Sequence, residues 1–376
     1  MDRGALERAY WDAVRACDPE VAVRARLADG FAPHPRRVFG IAVGKAAVAM
    51  ARGAGPVDRG VCVTHTLAGL ASQPLPAGWA VLESSHPTPD ARATVAADAV
   101  CDLVACAGAQ DRVLALISGG ASAMIERPVT GLSLAQFVAE VEAVVRSGMP
   151  IQAINAARTA RSQLKGGGLT AHSRAPVLTL VVSDVVDDDV RIVGSGLTCG
   201  PVRRPQDHAE VVSPMNGFGR ALYAILRTEH PALGFMAAPL TSDTAACADE
   251  IYGRRPVLGW GEPTVALPDR AGVGGRAQHL ALHLAVAIRG RGYTALVAGS
   301  DGMDGPPPRD RPAPAGAIVD SGTHDAIVAA GIDPLAALAR ADAGTALAAA
   351  GALFVTGPTG INAGDVMLLS PMSRRA

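Results

Sequence analysis

A glycine followed by a lysine, Gly44-Lys45, stands where the apolar run Val38 to Val43 gives way to the alanine-rich segment beginning Ala46-Ala47. A helix starting there would offer free N–H groups and the positive end of its dipole, and the lysine would add a point charge for a phosphate or carboxylate. The GxxxxGK[ST] spacing of a Walker A loop is missing, so an exposed lysine on an ordinary helix is the competing reading. Ser118-Gly119-Gly120-Ala121-Ser122 repeats the pattern: an apolar run breaks into small residues, whose backbone can approach an anion closely while two hydroxyls add donors. Lys165-Gly166-Gly167-Gly168 is weaker, because glycines after a helix also serve as a stop. In Ser183 to Asp189 a fully apolar run ends in four carboxylates within six residues. Mg²⁺ takes oxygen ligands and usually binds through one or two carboxylates plus substrate phosphates, which makes Asp184, Asp188 and Asp189 the candidate metal ligands against a simple solvated turn. Gly194-Ser195-Gly196 follows as a further source of donors, and His86 lies in a proline-fixed loop as a contact residue.

The C-terminal part repeats the theme. Arg276, after Gly274-Gly275, has a planar fork suited to two-point contact with carboxylate or phosphate. Asp301 and Asp304 sit in the glycine-rich segment Gly299 to Gly305, suited to a metal or a general base. Thr359 and Asn362 occupy a sharp turn, Gly357 to Asn362. His279 and His283 are one helical turn apart, but without HExxH or a third ligand they read as a helix face rather than zinc.

These residues need elements to hold them. Val38 to Val43, Val113 to Ile117, Val177 to Val182 and Ala295 to Ala298 are strand-like runs separated by helical patterns, which predicts βαβ units and a parallel sheet with its ligands beyond the carboxyl ends of the strands. Leu6 to Leu27 reads as an amphipathic helix, Gly131 to Leu164 as helical with a break at Ser147 to Pro150, and the proline-rich Pro306 to Pro314 as a surface loop. A boundary near 230–255 divides the chain into domains 1–240 and 254–372.

A length of 376 residues fits two domains. Hydrophobic residues at 49% against only 3% aromatics favour Ala-, Val- and Leu-built sheets covered by helices. A net charge of -1 without basic runs argues against nucleic acid as a partner. Six scattered cysteines without a CxxC pair point to a reducing cytoplasm, and no apolar run reaches the roughly 18 to 20 residues that span a bilayer, so no membrane partner is expected.

Taken in order, GKAA, SSHPTPDA, LISGGASAM, KGGGL, SDVVDDD, GSGLT, GEPTV, GGRAQHLALHLA, SDGMDG and GPTGIN resemble the glycerate 2-kinases of the DUF4147 and MOFRL type, whose members also carry hydroxypyruvate reductase names. The likeness covers nearly the whole chain. It implies a two-domain α/β fold: an N-terminal Rossmann-like doubly wound parallel sheet and a smaller C-terminal α/β (MOFRL) domain, with a cleft between them. It implies ATP and Mg²⁺ as cofactors, a small hydroxy acid as substrate, and transfer of phosphate to glycerate to give 2-phosphoglycerate; a homodimer is left open. Carried over by position, Lys45 stabilises the transferred charge, Ser118, Gly119, Gly120 and Ser122 cradle phosphate, and Asp184, Asp188 and Asp189 face the metal. Arg276 pairs with phosphate or the substrate carboxylate, Asp301 and Asp304 orient or deprotonate the attacking hydroxyl, and His86, Arg158, Lys165, Ser195, Gly196, Thr359 and Asn362 complete the binding set.

The chain departs from the family pattern at Thr159 and Ala160, where Lys and His are usual, and at Asp187, Leu197 and Ala277. Two rivals follow: an NAD(P)-dependent hydroxypyruvate reductase, which lacks a clean dinucleotide fingerprint here, and a catalytically reduced regulatory or ligand-binding paralogue.

Overall fold

Two sheets of six strands organise the chain, and their strands fall in sequence order. A computed structural model describes residues 1–31, 33–67, 70, 73–146, 151–201, 204–305 and 313–372. The first sheet comprises β1 (Val38–Val43), β2 (Arg59–Thr64), β3 (Trp79–Glu83), β4 (Arg112–Ser118), β5 (Val177–Val182) and β6 (His208–Ser213). All its pairings are parallel, in the order β3-β2-β1-β4-β5-β6. That is the doubly wound nucleotide-binding order, in which the strand order reverses between the first and fourth strands and opens a crevice at their carboxyl ends.

Both faces of this sheet are covered, which is why β5 is apolar at every position except Thr179. Side chains alternate: Ile41, Val43, Ala115, Ile117 and Val181 pack with the helix Ala91–Ala105. Ala42, Cys62, Leu114, Leu116 and Leu180 pack with the helix Ala47–Ala54.

The second sheet holds β7 (Gly234–Phe235), β8 (Val257–Gly261), β9 (Tyr293–Gly299), β10 (Gly316–Asp320), β11 (Leu353–Phe354) and β12 (Asp365–Pro371), in the order β11-β10-β9-β12-β8-β7. The parallel arrangement expected of the N-terminal domain holds in the first sheet; the run Ala295 to Ala298, read with the same set, lies instead in a mixed sheet. β9 pairs antiparallel with β10 and β12, β12 pairs antiparallel with β8, and only β7 and β8 run parallel. Val297, Val319 and Met367 face the helix Arg276–Ala287, while Leu296, Ile318 and Leu368 face Leu6, Tyr10 and Phe218.

The compact units are Asp18–Met215 and Met1–Cys17 with Asn216–Ala376, rather than the expected 1–240 and 254–372. The N-terminal helix Arg3–Ala16 explains the difference. Tyr10 is buried and its hydroxyl donates to the Gly299 carbonyl at 2.7 Å, and the Met1 amino group donates to the Pro371 carbonyl at 2.6 Å. The first helix therefore completes the second sheet's outer layer. The predicted helix Leu6 to Leu27 is two helices, because Pro19 cannot continue the first and instead opens Pro19–Arg26, capped by Asp18. The break at Ser147 to Pro150 and most of the Pro306 to Pro314 loop lie outside the described residues.

Candidate active site

Register decides which loops meet at the switch point. Val43 lies opposite Ile117, and Ser118 opposite Val182, so Gly44-Lys45, Gly119 to Ser122 and Ser183-Asp184 leave the sheet side by side. Backbone bonds weld the first two loops: Lys45 N–H donates to the Gly119 carbonyl at 2.9 Å and Ala46 N–H to the Ser118 hydroxyl oxygen at 3.0 Å. Glycine is required at 44, where φ is +126° and a Cβ would stand 2.3 Å from the Ser118 oxygen.

Above these loops lies a cavity of about 450 Å³ within the 18–215 unit. His86, Ser122, Glu142, Asn155, Arg158, Asp184 and Ser195 are among its polar lining, Gly120 contributes backbone, and Phe137, Val141, Val185 and Ile192 make an apolar wall. The Ser122 and Ser195 hydroxyls lie 2.9 Å apart, and Ser195 reaches the Asn155 side chain at 3.4 Å.

Charge is unevenly matched here. Burial raises the Asp184 carboxyl above the usual range, and the Lys45 ammonium opposes that shift. His86, although exposed as a residue, is pushed down to about 4, first by the burial of its ring, then by Lys45 and His65. His65 is lowered likewise by burial and Lys45, against Glu83. Burial lowers Arg158 while Glu126 raises it. Neither Lys45 nor Arg158 makes an ion pair among the described residues.

Several expected ligands prove to be structural. Ser118 is buried and its hydroxyl oxygen receives the Ala46 N–H; Gly119 braces Lys45 through its carbonyl. Gly196 bonds back to the Val193 carbonyl. Lys165 lies fully buried in an ion pair with Glu126, out of reach of a phosphate. Asp188 accepts from Met215 N–H at 2.8 Å, and Asp189 accepts from Arg191 N–H at 2.9 Å and pairs with its guanidinium. Of the three expected metal ligands, only Asp184 faces the cavity. Among the described residues no group of three His, Cys, Asp or Glu is arranged for a metal.

The other unit has its own cavity, about 540 Å³, lined by Arg276, His279, Met303, Asp304 and Asp365. Arg276 Nε and Nη2 donate to Asp365 at 2.6 and 3.2 Å, and Nη2 also donates to Glu262 at 2.8 Å. Burial works against the guanidinium charge, but Asp365 and Glu262 outweigh it and hold it above its ordinary range. Burial raises Asp365 in turn, opposed by Arg276. Asp365 escaped the sequence reading; its signal was a carboxylate opening an otherwise apolar strand, Val366 to Leu369.

Asp304 is a correction. It is buried and its oxygens accept from Ala277 N–H at 3.0 Å and from Gln278 N–H and side-chain amide at 2.8 and 2.9 Å. Burial lifts it to about 6 against these donors. It caps a helix and has no free oxygen with which to deprotonate a hydroxyl. Asp301 accepts from Met303 N–H at 3.0 Å. Thr359 spends its hydroxyl on the Ser300 carbonyl at 2.5 Å, so it too is structural, and Asn362 is half-buried beside that turn. His279 contacts Thr244 at 2.7 Å and the Leu338 carbonyl at 3.1 Å, in keeping with a packed helix face.

A doubly wound sheet with a cation at its switch point, followed by a mixed-sheet unit, defines a two-unit α/β class. Its two parts match the domain of unknown function DUF4147 over residues 5–222 and the MOFRL family over residues 256–365. The chain belongs to the glycerate 2-kinase family. It is 31% identical to the D-glycerate 2-kinase of Thermotoga maritima, over 88% of this chain and 90% of that one. It is also 31% identical to an Agrobacterium vitis protein named "Putative hydroxypyruvate reductase", over 97% and 93% of the two chains. The crystal structure of a Thermotoga maritima glycerate kinase superposes with a TM-score of 0.84 at 27% identity, covering 98% of each chain.

Proposed function

We propose that this chain transfers a phosphoryl group from ATP to a hydroxyl of glycerate, giving 2-phosphoglycerate, or to that of a related short hydroxy acid. The observation that carries the reading is Asp184 at the switch point, opening onto the same cavity as Arg158, with Lys45 leaving the neighbouring strand end and its charge acting on the Asp184 carboxyl. Phosphoryl transfer asks mainly for positioning and charge neutralisation, and this is the equipment present.

In this reading Lys45 faces the transferred phosphoryl group, with Gly120 and Ser122 lining its path. Arg158 receives the acceptor's carboxylate. His86, neutral at physiological pH, can accept a hydrogen bond from the attacking hydroxyl. A lone half-buried carboxylate with no side-chain partner among the described residues suits Mg²⁺, which completes its shell with phosphate oxygens and water, so Asp184 would hold the ion. When bound, Mg²⁺ supplies charge neutralisation to the phosphates. In the other unit Arg276 keeps Nη1 outside its two carboxylate pairs among the described residues, available to an anion in that unit's own cavity.

Six free cysteines, and the absence among the described residues of any helix long and apolar enough to cross a membrane, support a cytoplasmic site of action. A coupled ADP-release screen over glycerate, tartronate, threonate, erythronate and serine tests the reading. ADP release with at least one acid is expected. No turnover with any of them would overturn it, and oxidation of NADH or NADPH by hydroxypyruvate would establish the reductase instead.

A further inference from the structure

Beneath the apolar wall of the first cavity lies a buried ion pair that the chemistry above does not use. Glu126 and Lys165 are sealed from solvent, and the Lys165 ammonium contacts Glu126 Oε2. The other oxygen, Oε1, is buried with no hydrogen-bond partner. Lys165 Nζ lies 5.3 Å from the centroid of Phe137, a ring that itself lines the cavity, so the pair sits one side chain below any bound ligand.

Arg158 belongs to the same block. The segment carrying Glu126 is clipped to the chain just after the helix Ile151–Ala160: Val129 N–H donates to the Arg161 carbonyl at 3.0 Å, and Gln163 N–H to the Arg127 carbonyl at 2.8 Å. Pro128 and Ser162 form a bridge between them. Glu126 is the negative group that favours the Arg158 charge, and Arg158 in turn disfavours that of Lys165. The three make a block of two cations and one anion with one surplus positive charge, and Arg158 is the member that lines the cavity.

A buried ion pair contributes little to stability, and apolar residues of similar size often replace one without loss. A carboxylate with an unpartnered buried oxygen is costlier still. Resting on the kinase reading, we infer that Glu126, through its pairing with Lys165, is a positioning residue that holds Arg158 as the receptor for the carboxylate of the acceptor. The Glu126 carboxylate, whose Oε1 has no hydrogen-bond partner, attracts the Arg158 guanidinium, and that attraction goes when the pair is replaced; with Glu126 in place the three groups keep one positive charge for a monocarboxylate to neutralise.

The test replaces the pair together, Glu126→Leu with Lys165→Met, so that neither charge is stranded. KM and kcat for glycerate and ATP are measured with Arg158→Ala and the triple variant alongside, and glycerate binding is followed by calorimetry. The expected result is a protein melting near the wild-type temperature, with KM for glycerate raised about tenfold and KM for ATP within about twofold. The triple variant should be no worse than Arg158→Ala, because the pair acts through Arg158. A wild-type KM for glycerate in the paired variant, or a penalty that adds to that of Arg158→Ala, overturns the inference. If the wild type releases no ADP, the kinase reading fails alone so long as glycerate binding is still weakened by the paired change. Equal glycerate binding by the two proteins, or none by the wild type, overturns the positioning role.

Discussion

Asp304 closes the N-terminus of the helix that Arg276 begins. Its carboxylate oxygens receive the N–H groups of Ala277 and Gln278 at 3.0 and 2.8 Å, and the Gln278 amide donates to it again at 2.9 Å. The loop Gly299 to Gly305 thereby fixes the direction in which Arg276 points.

Removing that cap should cost stability before it costs chemistry. Asp304→Ala strands buried donors and should lower unfolding free energy by about 2 kcal/mol, read by urea denaturation. A variant as stable as the wild type would show that the cap is dispensable.

Arg276→Ala should unfold more easily for a different reason. It leaves Asp365, buried at 5% exposure, without its cation, and breaking a buried pair from one side costs about 3 kcal/mol or more. Glu262→Gln removes only the partly exposed partner and should cost less than about 1 kcal/mol. Denaturation curves of the two variants separate these effects, and they should be in hand before any loss of turnover in Arg276→Ala is assigned to catalysis.

Lys45→Ala and Asp184→Ala should each lower turnover by about 100-fold or more with little change in melting temperature, as loss of charge stabilisation does. Among the described residues Lys45 makes no ion pair that its removal would break, and relief of the half-buried Asp184 carboxyl costs the fold nothing obvious. Wild-type rates in either variant would remove the residue from the site.

The lowered value of His86 sets a direction for its titration. Partial burial comes first and Lys45 and His65 add to it, so the ring should stay neutral down to about pH 4 and gain its proton only below that. Lys45→Met removes one of the two repelling charges, and the titration should then shift upward toward the ordinary histidine range. Ring-proton NMR follows both; an unshifted curve would place Lys45 too far from His86 to act on it.

Gly120 has φ +86°, and a Cβ there would stand 3.0 Å from His86 Cδ2 and 3.1 Å from Met124 Cε. Gly120→Ala should therefore cost about 1 to 2 kcal/mol of backbone strain and displace the His86 ring. Lower melting temperature together with lower turnover is the expected pairing.

The strand ends were legible because fully buried parallel strands leave unbroken apolar runs, and each of the first three runs ends in the small or charged residues that line the switch point. Lys45, Gly120, Ser122, Asp184 and Ser195 follow from that pattern, His86 from its proline-fixed loop, and Arg158 from the family resemblance. Local sequence also carried the glycine requirement at Gly44 and Gly120, which is a property of the turn itself.

Which polar residues are free was decided only in three dimensions. Asp188, Asp189, Asp304 and Thr359 look as available in sequence as Asp184 does, but each is consumed by a backbone donor or acceptor that folding brings to it. Lys165 sits beside glycines as a phosphate ligand would, yet Glu126, far away in the chain, buries it. The N-terminal helix gives no local sign that it belongs with the second sheet, because that choice lies in Tyr10 packing onto Phe218 and Phe354. Sequence sets the local geometry of strand ends and turns, since those depend on neighbours in the chain; satisfaction of charges and donors depends on partners distant in the chain, and only the tertiary structure supplies them.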